Sequence, residues 1–194
     1  MTSGHERTGQ KQRTRDAILD GARQLMAQGA AVTVAAAAAV HGISRATAYR
    51  YFSDPQALTL EAGLATQVPP YDRIVAGTTS LRARLLAVVD SMIRLALEHE
   101  DTFRNYLAHA VAAPADKRSR GARRVAFLER ALQDFPHDLR PAGRRRLVAG
   151  LSSITGIEAL IGLTDIAGMP RDQVPGIVAE MAGAFIDRHL DQAG

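Results

Sequence analysis

Between Ser44 and Tyr51 four hydroxyl groups, on Ser44, Thr47, Tyr49 and Tyr51, are interleaved with two guanidinium groups, on Arg45 and Arg50, and no acidic residue intervenes. Hydroxyls donate to phosphate oxygens, and arginine either neutralises a phosphate or reaches the acceptor edge of guanine in a major groove. The chemistry this run offers is therefore recognition of a polyanion. Catalytic constellations are missing by comparison. The histidines, at positions 5, 41, 99, 109, 137 and 189, form no HxxxH or HExxH pair, and the chain has no Walker loop, no GxGxxG and no GxSxG. With no cysteine in 194 residues, thiol nucleophiles, disulfides and cysteine-ligated zinc are excluded. No catalytic residue, no metal ligand and no cofactor is expected, and the chain does not read as an enzyme.

The elements that must carry these donors are helical. Apolar periodicity is close to 3.6 almost everywhere and sustained alternation is absent, so the fold class is all-α. A first helix is expected over about Gln12 to Gln28, with Ile18, Ala22, Leu25 and Met26 inward and Gly29 as its stop. Lys11, Arg13 and Arg15, near its start, offer additional phosphate contacts. Thr33 reads as the N-cap of a short helix, Val34 to Val40, and Ser44 as the N-cap of another, Arg45 to Phe52. Between them Gly42 supplies a residue tolerant of positive φ, Ala38 permits close approach, and Ile43 plugs the small core beneath. Asp54 and Pro55 read as N-cap and first position of a fourth helix whose apolar side is Leu58, Leu60 and Leu64. Val68, Pro69 and Pro70 then break the pattern. Two short helices about a tight glycine turn, the second studded with donors, have the form of a DNA-binding helix-turn-helix.

Thr33-Val34, Gly42-Ile43-Ser44-Arg45-Ala46-Thr47-Ala48-Tyr49-Arg50-Tyr51-Phe52 and Leu58 resemble the tetracycline-repressor (TetR) family of transcriptional regulators, and Arg15 to Ala22 is similar to that family's first helix. The likeness covers about the first third of the chain. It implies an N-terminal three-helix helix-turn-helix DNA-binding domain over 10–68 and a C-terminal helical ligand-binding and dimerisation bundle over 71–194. It further implies that Thr33, Ser44, Thr47, Tyr49 and Tyr51 clamp the DNA backbone, while Arg45, Ala46 and Arg50 face bases or nearby phosphates. The implied partners are a double-stranded DNA operator, a second copy of the chain and a small-molecule effector, and the implied role is a ligand-responsive repressor; the alternatives are an activator of the same type, or an all-α ligand-binding protein or enzyme without DNA binding. The chain departs from the family's pattern at three places: Ala37 replaces a larger aliphatic residue, Tyr51 replaces a histidine, and Pro55 stands where a phosphate-contacting lysine is common.

Beyond Pro70 longer helices are expected at about Ser80 to Glu98, Thr102 to Ala112, Lys117 to Phe135, Pro141 to Ile166 and Arg171 to Asp191, with turns at Pro114, Pro136 and Gly168 to Pro170. Leu147 to Leu163 is apolar nearly all round, Glu158 being its one charge, and must be covered on more than one side. The last helix has one stripe of Val174, Ile177, Val178, Met181 and Phe185, widened by Ala182, Ile186 and Leu190. This two-sided apolarity suggests a homodimer. Met92, Phe103, Tyr106, His109 and Glu158 are polar or adaptable groups in apolar surroundings and are the candidates for lining an effector pocket. Arginines at 118, 120, 123, 124 and 144 to 146 read as solvated faces.

Composition is permissive: 24 basic against 20 acidic side chains give +4, 46% of residues are hydrophobic and only 5% aromatic. That balance suits a globular protein with an aliphatic core and announces no partner by itself. Met1 to Arg15 lacks the apolar stretch of a secretory signal and no span reaches membrane length, so a cytoplasmic protein without a membrane partner is expected.

Overall fold

The structure, a computed structural model, describes residues 3–112, 123–135 and 138–191, with side chains described over 10–112, 123–135 and 138–190. Among these residues the protein is all-helical, without strands. The expected helix start at Lys117, with Arg118 and Arg120, and the turns at Pro114 and Pro136 lie outside the described residues. Two compact units divide the chain: Met1–Gln67 with Arg104–Gly121, and Val68–Phe103 with Ala122–Gly194.

In the first unit, α1 (Ser3–Ala27), α2 (Val34–Ala39), α3 (Arg45–Ala48) and α4 (Pro55–Gln67) enclose a core of Ile18, Leu19, Ala22, Val34, Ala37, Ala38, Ala48, Phe52, Leu58 and Ala62. Helix α1 begins nine residues before the expected start. Its buried stripe is Arg15, Ile18, Leu19 and Ala22, whereas Met26 is exposed. The helix ends as Gly29 predicts: at φ +66, with Gly29 N donating to Met26 O at 3.0 Å and Ala30 N to Leu25 O at 2.9 Å, it closes a Schellman turn. Gly42 does the same for α2, with φ +66 and bonds Gly42 N to Ala39 O of 3.1 Å and Ile43 N to Ala38 O of 3.0 Å. The small side chain at Ala37 is matched across the interface by Gly21, where a Cβ would overlap the Ala37 carbonyl oxygen. Backbone proximity of α1 and α2 thus replaces the missing aliphatic volume.

In the second unit, α5 (Tyr71–Ile74) precedes α6 (Leu81–Glu98), which is capped by Ser80 Oγ accepting from Ala83 N at 3.1 Å. Helix α6 buries Leu81, Leu85, Val88, Val89, Met92, Ile93, Leu95 and Ala96 against α8 (Arg123–Asp134), α10 (Ile157–Ile161) and α11 (Val174–Asp191). Helix α7 (Glu100–Ala112) starts in this unit and from Arg104 onward belongs to the first. The single helix expected over Pro141 to Ile166 is broken instead. Helix α9 (Pro141–Ser153) stops at a turn whose pivot, Gly156, has φ +98; α10 follows at 54° to α9 and runs on as a π-helical turn, Gly162–Ile166. Arg124 bridges the break, donating to the Thr155 carbonyl at 2.5 Å and to Glu158 at 3.0 Å, so this arginine is fastened rather than merely solvated. No single described helix is long and apolar enough to cross a membrane.

Candidate functional site

The run Ser44 to Tyr51 is shaped by its two caps and its inward anchors. Thr33 is extended and its Oγ1 accepts from Ala36 N at 3.0 Å, starting α2. Ser44, also extended, accepts from Thr47 N at 3.3 Å and starts α3. Its own proton goes to Thr47 Oγ1 at 3.0 Å, so the Thr47 hydroxyl keeps its O–H for an external acceptor. Helix α3 is a single α-helical turn, shorter than the expected Arg45 to Phe52. The chain continues as hydrogen-bonded turns: Arg50 N donates to Thr47 O at 3.1 Å, Tyr51 N to Ala48 O at 2.9 Å and Phe52 N to Ala48 O at 3.0 Å. A four-residue helix holds its shape only if it is pinned, because its few hydrogen bonds do not repay the ordering of the backbone. Ala48 and Phe52, both buried, are the pins.

This pinning decides what faces outward. Thr33, Ser44, Arg45, Ala46 and Arg50 are exposed, and Thr47, Tyr49 and Tyr51 are half-buried. Both tyrosines lay their rings on the core, which is how an amphipathic side chain holds a polar tip at the surface. The Arg45 guanidinium sits 5.5 Å from the Tyr49 ring centroid, a cation–π contact that restrains both. The nearest acidic residue downstream, Asp54, is engaged elsewhere: it accepts from Gln56 N at 2.9 Å at the head of α4 and lies 3.0 Å from His109 Nδ1. The surface therefore combines hydroxyl donors with two cations and can bind phosphodiester oxygens and base edges.

Two features of this unit are absent from the sequence reading. Arg15, offered there as a phosphate contact, is 4% exposed and instead meets both carboxylate oxygens of Glu61, which is 8% exposed; its Nη2 lies 2.5 Å from Oε2. Tyr106 donates to the same Oε2 at 2.6 Å, and the Arg15 guanidinium lies 4.6 Å from the Phe52 ring centroid. Burial by itself lowers the Arg15 pKa, but the bonds and attraction to Glu61 and Tyr106 more than offset this and hold it above the usual guanidinium value. Helical phasing could have found the pair, since Arg15 is in step with Ile18, Leu19 and Ala22, and Glu61 with Leu58 and Ala62. The second feature is Asp20, which accepts from Arg23 at 3.0 Å and Gln24 at 2.8 Å and lies 2.8 Å from His41 Nε2 beyond the end of α2. Hydrogen bonds from Arg23, Gln24 and His41 lower its pKa below the ordinary carboxylate value.

The five residues offered for an effector pocket fall in different surroundings. Met92 is buried in the core stripe of α6, Phe103 is half-buried on α7, and Glu158 is paired with Arg124. Tyr106 and His109 belong to the first unit, bonded to Glu61 and Asp54 respectively. An open cleft of about 400 Å³ in the second unit is lined by other residues: Gly150, Ile154, Met181, Ala184, Phe185 and Arg188. Among the described residues no group of three His, Asp or Glu side chains could hold a metal ion. Set against family models, curated proteins and solved structures, the chain has no match.

Proposed function

We propose that this protein is a sequence-specific DNA-binding transcriptional regulator of the TetR type, a repressor that binds a palindromic operator as a homodimer. One observation carries the reading: Ala48 and Phe52 pin a single helical turn so that the run from Ser44 to Tyr51 turns only hydroxyl donors, cations and the small Ala46 toward solvent. Thr33, Ser44, Thr47, Tyr49 and Tyr51 are assigned to the phosphate backbone, and Arg45, Ala46 and Arg50 to bases or flanking phosphates. The left-handed turn at Gly42 supports a helix-turn-helix, because it brings α2 and α3 together over Ile43.

The dimer is inferred from α11. Its core face is Val174, Val178, Ala182 and Ile186, all fully buried, while Ile177, Met181, Ala184 and Phe185 along one flank of that stripe stay half-buried or exposed, the last three lining the open cleft. An apolar flank of this kind suits a second copy of the chain. Two reading turns related by a two-fold axis would then meet half-sites one helical turn apart or a multiple, about 34 to 36 Å per turn. An unidentified small molecule is proposed as effector, with Met92, Phe103 and Glu158 the remaining candidates to line its site.

The test is selection of genomic DNA fragments by the full-length protein, followed by titration of the selected fragment at several salt concentrations. Specific binding whose affinity falls as salt rises is expected. Thr47→Ala should weaken binding to all sequences alike, whereas Arg50→Ala should relax discrimination at one position by about 1–3 kcal/mol if it reads a base. Binding of every fragment with one affinity would reject the reading.

A further inference from the structure

Two contacts from α7 end on the short stretch that follows the candidate DNA-reading turn. The first is the buried chain already described: the Tyr106 hydroxyl donates to Glu61 at 2.6 Å, Glu61 holds both terminal nitrogens of Arg15, and Arg15 lies against the Phe52 ring. Phe52 is the residue after Tyr51 and closes the turn through its bond to Ala48 O. The second runs from His109 Nδ1 to Asp54 Oδ2, and Asp54 is two residues beyond Phe52. Tyr106 and His109 are three apart, which puts them on one face of α7. Both contacts lie within the first compact unit, which α7 enters from Arg104 onward.

We propose that Tyr106 and His109 are positioning residues for the DNA-reading turn, Tyr106 acting through Glu61 and Arg15 on the Phe52 ring and His109 through Asp54. The proposal rests on the DNA-binding reading. If adhesion were all that these helices required, three apolar side chains would provide it without removing a carboxylate and a guanidinium from water. Ion pairing to a forked guanidinium adds direction. The carboxylate fixes the plane of Arg15, and that plane, lying against the ring of Phe52, restricts how Phe52 can rotate. Tyr49 and Tyr51 rest on the same core as Phe52 and inherit its placement. Removing the Tyr106 hydroxyl deletes its bonds to Glu61 and to Arg15 and touches no surface assigned to DNA.

The experiment uses the full-length protein, its selected DNA fragment and the variants Tyr106→Phe, Glu61→Gln and His109→Gln, with phenylalanine ring resonances followed by NMR. Tyr106→Phe is expected to weaken binding about tenfold, within the usual range for coupling between sites, with little change in salt slope because no cation that neutralises a phosphate is removed. Its effect combined with Glu61→Gln should be smaller than the product of the single effects. Phe52 ring resonances should move in both buried variants. His109→Gln, at a half-exposed site that leaves the buried chain closed, should weaken binding about threefold, and it serves if the buried variants fail to fold. Affinity within about twofold of wild type for the folded variants, with Phe52 resonances unmoved, overturns the proposal and leaves DNA binding intact. A wild-type protein that selects no fragment removes both, which is a different result.

Discussion

Arg15 and Glu61 are a charged pair inside an alanine-rich core, and the consequences of changing them depend on which partner goes. Loss of Glu61 alone leaves a guanidinium buried without its carboxylate, and Glu61→Ala is expected to cost about 3–5 kcal/mol in urea denaturation. Replacing all three polar groups, as in Arg15→Met with Glu61→Leu and Tyr106→Phe, should restore most of that stability, because the desolvation of two ions is avoided and no buried hydroxyl loses its acceptor. The recovered protein would still lack the direction that the pair imposes on Phe52, so its affinity for DNA should stay reduced while its urea midpoint returns. Asp20 is a different kind of charge, some 40% exposed and held by three hydrogen bonds. Its folded-state pKa is depressed, so its contribution is present at neutral pH, above the ordinary value of 3.8, and is lost as pH falls through the folded value. Asp20→Asn should flatten the acid limb of the stability curve as pH falls below the ordinary carboxylate value of 3.8, measured by thermal unfolding across pH.

Helices α2 and α3 are short, and are positioned by neighbours more than by their own hydrogen bonds. Helix α2 offers the core only Val34, Ala37 and Ala38, and it gains its grip through backbone proximity at Gly21. A methyl group there meets the Ala37 carbonyl, which no rotamer change relieves. Gly21→Ala should therefore destabilise the protein by about 1–3 kcal/mol despite raising helix propensity, and it should weaken DNA binding through displacement of α2. In the second unit the same logic explains the break between α9 and α10. Gly156 alone adopts φ +98 there, Thr155 is buried, and Arg124 satisfies the carbonyl that the interrupted helix leaves over. The apolar run Leu147 to Leu163 is thus divided between two helices 54° apart, with Leu147, Leu151, Ile157 and Leu160 buried.

At the scale of the whole molecule, the apolar residues of α11 exceed what one chain covers. Met181 stays 39% exposed beside Phe185, whose ring fills the space that a side chain at Gly150 would take. If this face meets a second copy, Met181→Glu should turn a dimer into a monomer in sedimentation velocity while leaving helicity unchanged. Because two half-sites contribute to one binding event, the same variant should lose more DNA affinity than any single backbone contact does. The formal charge of +4 announces no partner by itself, and the proposed DNA-binding reading rests on where cations lie, at Arg45 and Arg50.

The helical class, the caps at Thr33 and Ser44, the left-handed stops at Gly29 and Gly42, and the run of donors from Ser44 to Tyr51 are all legible in the linear chain. Each of these depends on residues within a few positions of one another, where hydrogen-bonding chemistry and φ preference act locally. Tertiary structure decided the rest: that Arg15 is buried instead of offered to phosphate, that Glu61 is its partner, that Tyr106 and His109 belong to the first unit, and that the helix through Gly156 breaks. Those outcomes join residues as far apart as Arg15, Glu61 and Tyr106, and which charge can be buried depends on whether a distant partner arrives to meet it. A linear pattern carries the period of a helix face, and the face's neighbour comes only with the folded chain.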